Sequence, residues 1–390
     1  MKLIFIGVLI ISFLSMAAVS LQPPKFPRKV ANVAALEAHI SRMVESNNPP
    51  GISITIVRDN QIVYSYSVGS LDSSHATGVT SSTVYHWWSM TKVVTAVGIM
   101  QLHEQGRLDI DMPVVQVLPW FTLQDGEADL GAITIRQLLR HTSGLPDTMP
   151  AMIGWVHYGD EIYNQSDYLR RIIPEYRRLL FEPDQKTAYS NFGYLVLGAI
   201  IGAVSGDSYE NYISDHILKP IGMESTNFLY TPEMSMYEAV GSHPLLSIYT
   251  PLLPFLLDMK ALVSERRGVY LWFERLYHDV SPSSGLIGSS DDAAKFMLAY
   301  LDGALLLSEE SKAIMQPSGL RPTERPLGWS EFDLGERMWL QHRGGGPGFA
   351  AIMRVYPRES LGIVVMANGT QLPAEQIVDV LANLYMDLEE

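Results

Sequence analysis

The chain has 390 residues, 47% hydrophobic and 18% charged, and its formal net charge at pH 7 is −14. This composition indicates a folded protein with a substantial core and excludes an intrinsically disordered chain. The negative charge argues against a nucleic-acid-binding surface, which needs a basic stripe. The sequence contains no cysteine, which excludes disulfides, thiolate metal ligands and a cysteine nucleophile.

An uncharged apolar run extends from Leu3 to Leu21 and ends in small residues. This pattern predicts an export signal over residues 1–20, followed by a proline-rich linker over residues 21–30. A membrane anchor is the alternative, because the run also reaches the roughly 17–25 residues that a spanning helix needs. Both interpretations predict an exported protein, periplasmic or secreted, and the second adds membrane association through residues 3–21.

Hydrophobic periodicity predicts the remaining elements in chain order. The predicted elements are a helix over 30–44, strands over 52–58 and 62–68, helices over 93–102, 135–143, 192–204 and 290–300, strands over 338–342, 350–356 and 362–367, and a helix over 374–388. Strands at both ends with helices between them predict an α/β (α+β) fold. In this fold, residues 31–84 and about 325–390 form one antiparallel sheet lobe, and residues 85–324 form an inserted, mainly helical lobe.

An apolar segment over residues 244–257 is interrupted by prolines, which exclude a regular membrane-spanning helix. Two interpretations remain open, a buried irregular segment or a lid that admits an apolar substrate. We expect the segment to border the mouth of a substrate pocket.

The stretch Ser89-Met90-Thr91-Lys92 is the one Ser-x-x-Lys pattern in the sequence, and it precedes an apolar helix. Residues three apart share a helix face, so Lys92 is predicted to lie beside Ser89. Serine needs an adjacent base to act as a nucleophile, and an amine kept neutral by burial can be that base. The alternative is a surface serine and lysine without a common role.

Two further short patterns contain candidate catalytic residues. Tyr189-Ser190-Asn191 directly precedes an apolar helix, and His342-Arg343-Gly344 stands between two predicted strands. Tyr209-Glu210-Asn211 and His157-Tyr158-Gly159 have the same forms, but neither has the same context. His141 ends a predicted helix, where it is either a catalytic base or a side chain that bonds to the last carbonyls.

In this order, Ser89-x-x-Lys92, Tyr189-x-Asn191 and His342-x-Gly344 resemble the three motifs of serine β-lactamase-related hydrolases. The nearest subgroup is that of class C β-lactamases, DD-peptidases and family VIII esterases, and the resemblance covers roughly residues 34–390. It implies a β-lactamase/transpeptidase-like fold with residues 31–390 as one β-lactamase-like domain.

The resemblance also implies roles for the motif residues. Ser89 attacks a carbonyl and forms an acyl-enzyme, and Lys92 and Tyr189 share the proton transfer. An ammonium close to Tyr189 would favour its phenolate and let it act as a base. Asn191 is implied to hold Lys92 or the substrate amide.

The third motif is implied to border the substrate. The main-chain N–H groups of Ser89 and Gly345 form the oxyanion hole, and Gly344 lets the backbone come close to the substrate. His342 replaces the family's frequent lysine and either joins the proton network or steadies the intermediate.

Two departures from the family pattern matter. Arg343 replaces the hydroxyl residue that commonly meets a β-lactam carboxylate, so it either binds an acidic substrate group or points to solvent. Asp184 replaces a frequent glycine, and a changed turn there would shift Tyr189. These departures make β-lactam hydrolysis less expected than acyl transfer from other substrates.

The sequence therefore predicts a serine hydrolase acting on a small-molecule ester, an amide or a peptide, of esterase or D-amino-acid peptidase type. An acyltransferase of the same family and a catalytically silent binding relative are the alternatives. No metal or cofactor is expected, because the histidines lack ligand spacing and the glycine run 344–346 leads into a strand. The natural substrate and the oligomeric state stay open.

Overall fold

The computed structural model describes residues 26–121, 133–176, 178–247, 250–302 and 305–386. The predicted signal peptide or anchor and the first part of the linker lie outside these ranges, as does the end of the closing helix beyond Met386. The strands are β1 (Gly51–Arg58), β2 (Gln61–Gly69), β3 (Val84–His86), β4 (Val156–His157), β5 (Thr226–Asn227), β6 (Ser242–Pro244), β7 (Val263–Arg267), β8 (Tyr270–Phe273), β9 (Tyr277–His278), β10 (Ile287–Ser289), β11 (Glu331–Asp333), β12 (Trp339–Gly346), β13 (Phe349–Tyr356) and β14 (Leu361–Ala367). The helices are α1 (Val33–Glu45), α2 (Thr91–Glu104), α3 (Val114–Val117), α4 (Ile135–Leu139), α5 (Gln165–Ile172), α6 (Asn191–Ser205), α7 (Tyr209–Ile213), α8 (Pro232–Ser235), α9 (Leu253–Leu256), α10 (Met259–Leu262), α11 (Ser281–Ser284), α12 (Ser290–Leu301), α13 (Glu309–Met315) and α14 (Ala374–Met386).

The main sheet has six strands in the order β11-β12-β13-β14-β1-β2, and each neighbouring pair is antiparallel. Two strands come from the N-terminal part of the chain and four from the C-terminal part. The predicted sheet built from both chain ends is therefore confirmed. Asp59 and Asn60, which join β1 to β2, both have positive φ, as a tight hairpin turn requires.

Both faces of the sheet are covered. Along β14, Ile363 and Val365 join the cluster formed with α1 and α14 on one face. Val364 and Met366 join the opposite cluster, which contains Phe296 of α12. Because successive side chains point to opposite faces, a strand covered on both sides must be apolar throughout, as β14 is.

Two apolar helices form the centre of the helical lobe. Every residue of α2 from Thr91 to Leu102 is buried, so this helix has no polar stripe. Helix α6 begins after Ser190, whose Oγ accepts the Gly193 N–H at 3.1 Å, and ends at Gly206 with φ 78°. Within the described residues no single helix has the length and hydropathy of a membrane span; the pair Asn191–Ser205 and Tyr209–Ile221 reaches them only together, across a bend of 79°.

The described part of the apolar segment 244–257 contains exposed, half-buried and buried residues, so the interpretation as a buried segment holds only in part. Phe255 is 84% exposed and Leu246 is 65% exposed, whereas Leu257 is buried. Helix α9 within this segment lies against the turn Ala151–Gly154, where a Cβ on Gly154 would stand 2.4 Å from the Leu256 carbonyl oxygen.

Two glycines let β12 approach the turn that carries Ser89. A Cβ on Gly344 would lie 2.0 Å from the Trp87 carbonyl oxygen, and a Cβ on Gly346 would lie 2.6 Å from the Trp88 ring. Gly345, between them, faces open space. Strand β12 therefore fixes its distance from Ser89 by backbone contact.

We predict that Gly344→Ala destabilises the protein by about 1–3 kcal/mol, because the added methyl group meets a main-chain oxygen and must push the strand away. Gly345→Ala is the matched control and should change the free energy of unfolding by less than about 0.5 kcal/mol. Urea denaturation of both variants measures this difference. Equal stability of the two variants would contradict the close approach.

Candidate active site

Ser89 lies in a 3₁₀ turn, Trp88–Met90, that continues into α2. The α-helix itself begins only at Thr91, but Lys92 still follows within one turn. Between Thr83 and Leu102, every residue except Ser89 is buried, and Ser89 is half-buried. Trp88 has φ 47°, a left-handed conformation that is strained for an aromatic residue. It is held by the rings of His86, at 5.0 Å, and His278, at 5.4 Å.

Lys92 is completely buried, and its Nζ has three neighbours. Nζ lies 2.7 Å from Asn191 Oδ1, 2.7 Å from the Ser283 carbonyl oxygen and 3.2 Å from Ser89 Oγ. Two of these atoms can only accept a hydrogen bond. A neutral amine has two N–H groups for them and one lone pair, which then faces the Ser89 hydroxyl.

The orientation of the Asn191 amide is fixed by Asp147. The Asn191 Nδ2 group donates to Asp147 Oδ1 at 2.9 Å, and the Asn191 main-chain N–H donates to the same oxygen at 3.2 Å. A carboxylate accepts hydrogen bonds only, so Nδ2 must face Asp147 and Oδ1 must face Lys92. The predicted contact between Asn191 and Lys92 is therefore present.

Burial lowers the pKa of Lys92 well below its usual value, and the negative charge of Asp147 raises it in part. Taking an ammonium out of water is costly, so the buried amine favours its neutral form. Lys92 and Ser89, the pair that the sequence predicts as base and nucleophile, are thus in contact. The interpretation of Ser89 and Lys92 as an unrelated surface pair is excluded by this burial.

The surroundings of Tyr189 do not favour the phenolate that a neighbouring ammonium would stabilise. Burial raises the pKa of Tyr189 above its usual value, and a hydrogen bond with Ser89 lowers it in part. Lys92 Nζ lies 5.0 Å from the centre of the Tyr189 ring, but it is itself driven towards the neutral amine. Both shifts run against the expected phenolate base, because burial favours the protonated phenol of Tyr189 and the neutral amine of Lys92.

His342 is a neutral side chain here. Its Nδ1–H donates to the Arg343 carbonyl oxygen at 2.8 Å, so Nε2 carries a lone pair. Burial lowers the pKa of His342 to about 3, and the proximity of Lys92 acts in the same direction. The ring lies 6.1 Å from that of Tyr189, and Nε2 has no partner among the described residues. The site therefore lacks the positive charge that a lysine would supply at this position.

Arg343 is engaged at the surface. Its guanidinium contacts Glu331 at 2.8 Å and Glu375 at 3.0 Å, and its side chain is more than half exposed. A guanidinium that is already paired with two carboxylates is not free to bind an acidic substrate group. The structure therefore favours the alternative in which Arg343 points to solvent.

The turn at Asp184 keeps the conformation that glycine favours. Asp184 has φ 64°, and its carboxylate accepts hydrogen bonds from Thr142 Oγ1 at 2.7 Å and Gln137 Nε2 at 2.8 Å. Asp tolerates the left-handed region because such local bonds compensate for the strain. The turn at Asp184 therefore keeps the left-handed conformation that a glycine would adopt there.

The competing patterns lie in other surroundings. His157 donates to Asp279 at 2.8 Å and to the Glu161 carbonyl oxygen at 2.8 Å. The Tyr209 hydroxyl is bonded to Thr95 Oγ1 at 2.8 Å inside the lobe. His141 is not a simple helix-terminal residue, because its ring lies 4.5 Å from that of Tyr189.

Sequence reasoning missed two parts of the site. Asp147 stands just after the predicted helix that contains His141, and its nearness to Asn191 depends on the path of the loop. The Ser283 carbonyl is a main-chain group and leaves no side-chain signal in the sequence. Among the described residues, no group of three or more histidine or acidic side chains has the arrangement of a metal site.

A cavity of about 810 Å³ lies elsewhere, and none of its lining residues belongs to the Ser89 cluster. Its most buried cation, Arg354, is bonded to Gln341 at 2.6 Å and Asp379 at 2.7 Å. These contacts link β12, β13 and α14, so the cavity contains a structural ion-pair network and no nucleophile beside a base.

A buried amine in contact with a half-buried serine is the arrangement that the Ser-x-x-Lys pattern predicts. Comparison with known proteins identifies the family: its model, described as Beta-lactamase, matches residues 36–385. The chain belongs to the beta-lactamase family, which confirms the resemblance seen in the three motifs.

Individual relatives are distant. Protein flp of Staphylococcus aureus (strain MW2) is 27% identical over 337 residues, which cover 85% of this chain and 62% of the relative. The octameric penicillin-binding protein homologue from Pyrococcus abyssi is 24% identical with TM-score 0.73, over 91% of this chain and 77% of that one. The D-amino acid amidase from Ochrobactrum anthropi SV3 is 20% identical with TM-score 0.73, over 91% and 99%. The two solved structures confirm the β-lactamase/transpeptidase-like fold, and the chain spans less than two thirds of the staphylococcal relative.

We predict that Asp147→Asn moves the acidic limb of Ser89 reactivity to lower pH. Lys92 must be neutral to accept the Ser89 proton, so reactivity falls as the pH drops through the pKa of Lys92. The Asp147 charge raises that pKa, and asparagine removes the charge while keeping an oxygen for Asn191. The rate of labelling by a fluorophosphonate probe, measured against pH, reports the shift. Asp215→Asn, at an exposed helix position, is the control, and an unmoved or upward-shifted limb in Asp147→Asn would contradict the assignment.

Proposed function

We propose that the protein is a serine hydrolase that forms an acyl-enzyme on Ser89 from an ester, an amide or a peptide. The observation that carries this proposal is the contact between the buried Lys92 Nζ and Ser89 Oγ at 3.2 Å, beside two acceptors, Asn191 Oδ1 and the Ser283 carbonyl oxygen, that can take both N–H groups of a neutral amine. A protein that only binds a ligand has no need for a desolvated base beside a serine. Membership of the beta-lactamase family supports the same reaction class.

In the acylation step, Lys92 takes the Ser89 proton while Oγ forms a bond to the substrate carbonyl carbon. The resulting ammonium is stabilised by Asn191 Oδ1, by the Ser283 carbonyl and by the charge of Asp147. Charge develops on the carbonyl oxygen, for which the main-chain N–H groups of Ser89 and Gly345 are the proposed donors.

The leaving group departs with a proton. Tyr189 holds its proton because of burial and contacts Ser89, so it is placed to act as the general acid, and the Lys92 ammonium then restores its proton. A water molecule repeats these transfers in reverse on the acyl-enzyme and releases the acid. In this proposal His342 stays neutral throughout, and its Nε2 offers a lone pair close to the groups that transfer the proton.

The substrate class is proposed from what the site lacks. Arg343 is occupied by carboxylates and His342 is neutral, so the third motif offers no free cation for a β-lactam carboxylate. We therefore propose simple acyl esters and D-amino-acid amides or peptides as substrates ahead of β-lactams. The name of one structural relative, a D-amino acid amidase, supports amide substrates of this kind.

The first experiment labels the purified protein with a fluorophosphonate probe and locates the adduct by peptide mass spectrometry. We expect modification of Ser89 in the wild type, and loss of both labelling and aryl-ester turnover in Ser89→Ala. Ser205→Ala, a part-buried serine at the end of α6, is the matched control and should behave as the wild type. A folded wild-type protein that stays unlabelled would overturn the proposed function.

A competition series then ranks the substrates. Acyl esters, D-amino-acid amides, D-Ala-D-Ala peptides and penicillins are each added before the probe, and the residual labelling of Ser89 is measured. We expect esters and D-amino-acid amides to protect Ser89 more than penicillins do. Stronger protection by penicillins would contradict the role assigned to the missing cation.

A further inference from the structure

His141 holds the chain on both sides of Tyr189. Its carbonyl oxygen accepts the Ala188 N–H at 2.9 Å, and its Nδ1 accepts the Ser190 N–H at 3.1 Å. The imidazole ring lies 4.5 Å from the Tyr189 ring with an interplanar angle of 32°. One residue thus fixes the main chain before and after Tyr189 and covers a face of its ring.

These contacts also determine which ring nitrogen of His141 carries the hydrogen. Because Nδ1 accepts an N–H, it carries no proton, and the hydrogen of the neutral ring is on Nε2. Burial drives the pKa of His141 well below its usual value, and the positive charge of Arg325 acts in the same direction. Nε2 has no partner among the described residues. His141 is therefore suited to hold Tyr189 and is not placed to donate to Ser89.

The backbone at His141 is strained. Its φ of 59° lies in the left-handed region, which is uncommon for histidine. Flanking hydrogen bonds hold this conformation, because the Thr142 carbonyl accepts the Asp184 N–H and the Gly144 carbonyl accepts the Leu180 N–H, both at 2.8 Å. The segment after α4 is thus attached along its length to the segment that leads to Tyr189.

We infer that His141 is a positioning residue for the proton transfer by Tyr189. The inference rests on the proposed function, since it concerns the step in which Tyr189 protonates the leaving group. The two hydrogen bonds set the position of the Tyr189 main chain, and the ring contact sets the plane of the phenol. A misplacement of about 1 Å in a catalytic group typically costs about 10²-fold in rate.

The test uses two esters with the same acyl group, one with a p-nitrophenyl and one with an alkyl leaving group. His141→Phe keeps a ring beside Tyr189 but loses the Nδ1 acceptor. It should lose about 10–10²-fold in kcat/KM on the alkyl ester, which needs a proton on the leaving group, and much less on the p-nitrophenyl ester. His141→Asn keeps an acceptor at the position of Nδ1 and tolerates positive φ, so it should recover most of the loss. Equal losses on both esters, or a His141→Asn as impaired as His141→Phe, would overturn the inference.

A double-mutant cycle separates positioning from general damage. In a Tyr189→Phe background the phenol is absent, so His141→Phe should change alkyl-ester kcat/KM by less than about twofold. The same loss with and without the phenol would overturn the inference. If His141→Phe does not fold, His141→Gly removes the acceptor and the ring while relieving the left-handed strain, and it is run through the same cycle.

Labelling of wild-type Ser89 distinguishes failure of the proposed function from failure of this inference. An unlabelled wild type refutes the proposed function, and a labelled wild type with an additive cycle refutes only the role of His141.

Discussion

The burial of one amine is the constraint on which the rest of the site depends. Lys92 sits inside a helix that is apolar on all sides, and only acceptors at the right places make this burial tolerable. Asn191 and the Ser283 carbonyl supply those acceptors from two other parts of the chain. The lobe must therefore bring α2, α6 and α11 together, and Gly198 makes this possible because it leaves room for Pro282 against α6. The packing of α2, α6 and α11 therefore also creates the polar surroundings of Lys92.

The sheet supplies the second wall of the site by a different means. No side chain separates β12 from the turn that carries Ser89, because two glycines stand at the points of contact. The strain at Trp88 belongs to the same arrangement, since the left-handed residue turns the chain so that Ser89 faces outward from a buried segment. Rigid backbone contact on one side and a buried polar cluster on the other leave Ser89 with little freedom. Such preorganisation is what catalysis by electrostatic stabilisation requires.

Much of this could be predicted from the sequence. The strands and long helices follow from periodicity, and the order of the three motifs indicated which side chains meet. The sequence could not predict the protonation preferences and ion pairs of the site residues. The sign of the Tyr189 pKa shift depends on how deeply both Tyr189 and Lys92 are buried, and the state of Arg343 depends on Glu331 and Glu375, from separate elements. Asp184 adopts the turn of a glycine while Thr142 and Gln137 donate hydrogen bonds to its carboxylate, and such contacts have no local signature in the sequence.

The central claim is that the Lys92 amine is neutral in the resting protein and accepts a proton from Ser89. Heteronuclear NMR of the protein labelled with ¹⁵N and ¹³C in its lysine side chains tests it most directly, with Lys92→Met used to assign the Lys92 signals. We predict Lys92 Nζ and Cε shifts of a neutral amine at neutral pH, and a titration at a pH well below that of the other lysines. A Lys92 signal that stays an ammonium until the usual pH range of lysine would contradict the account.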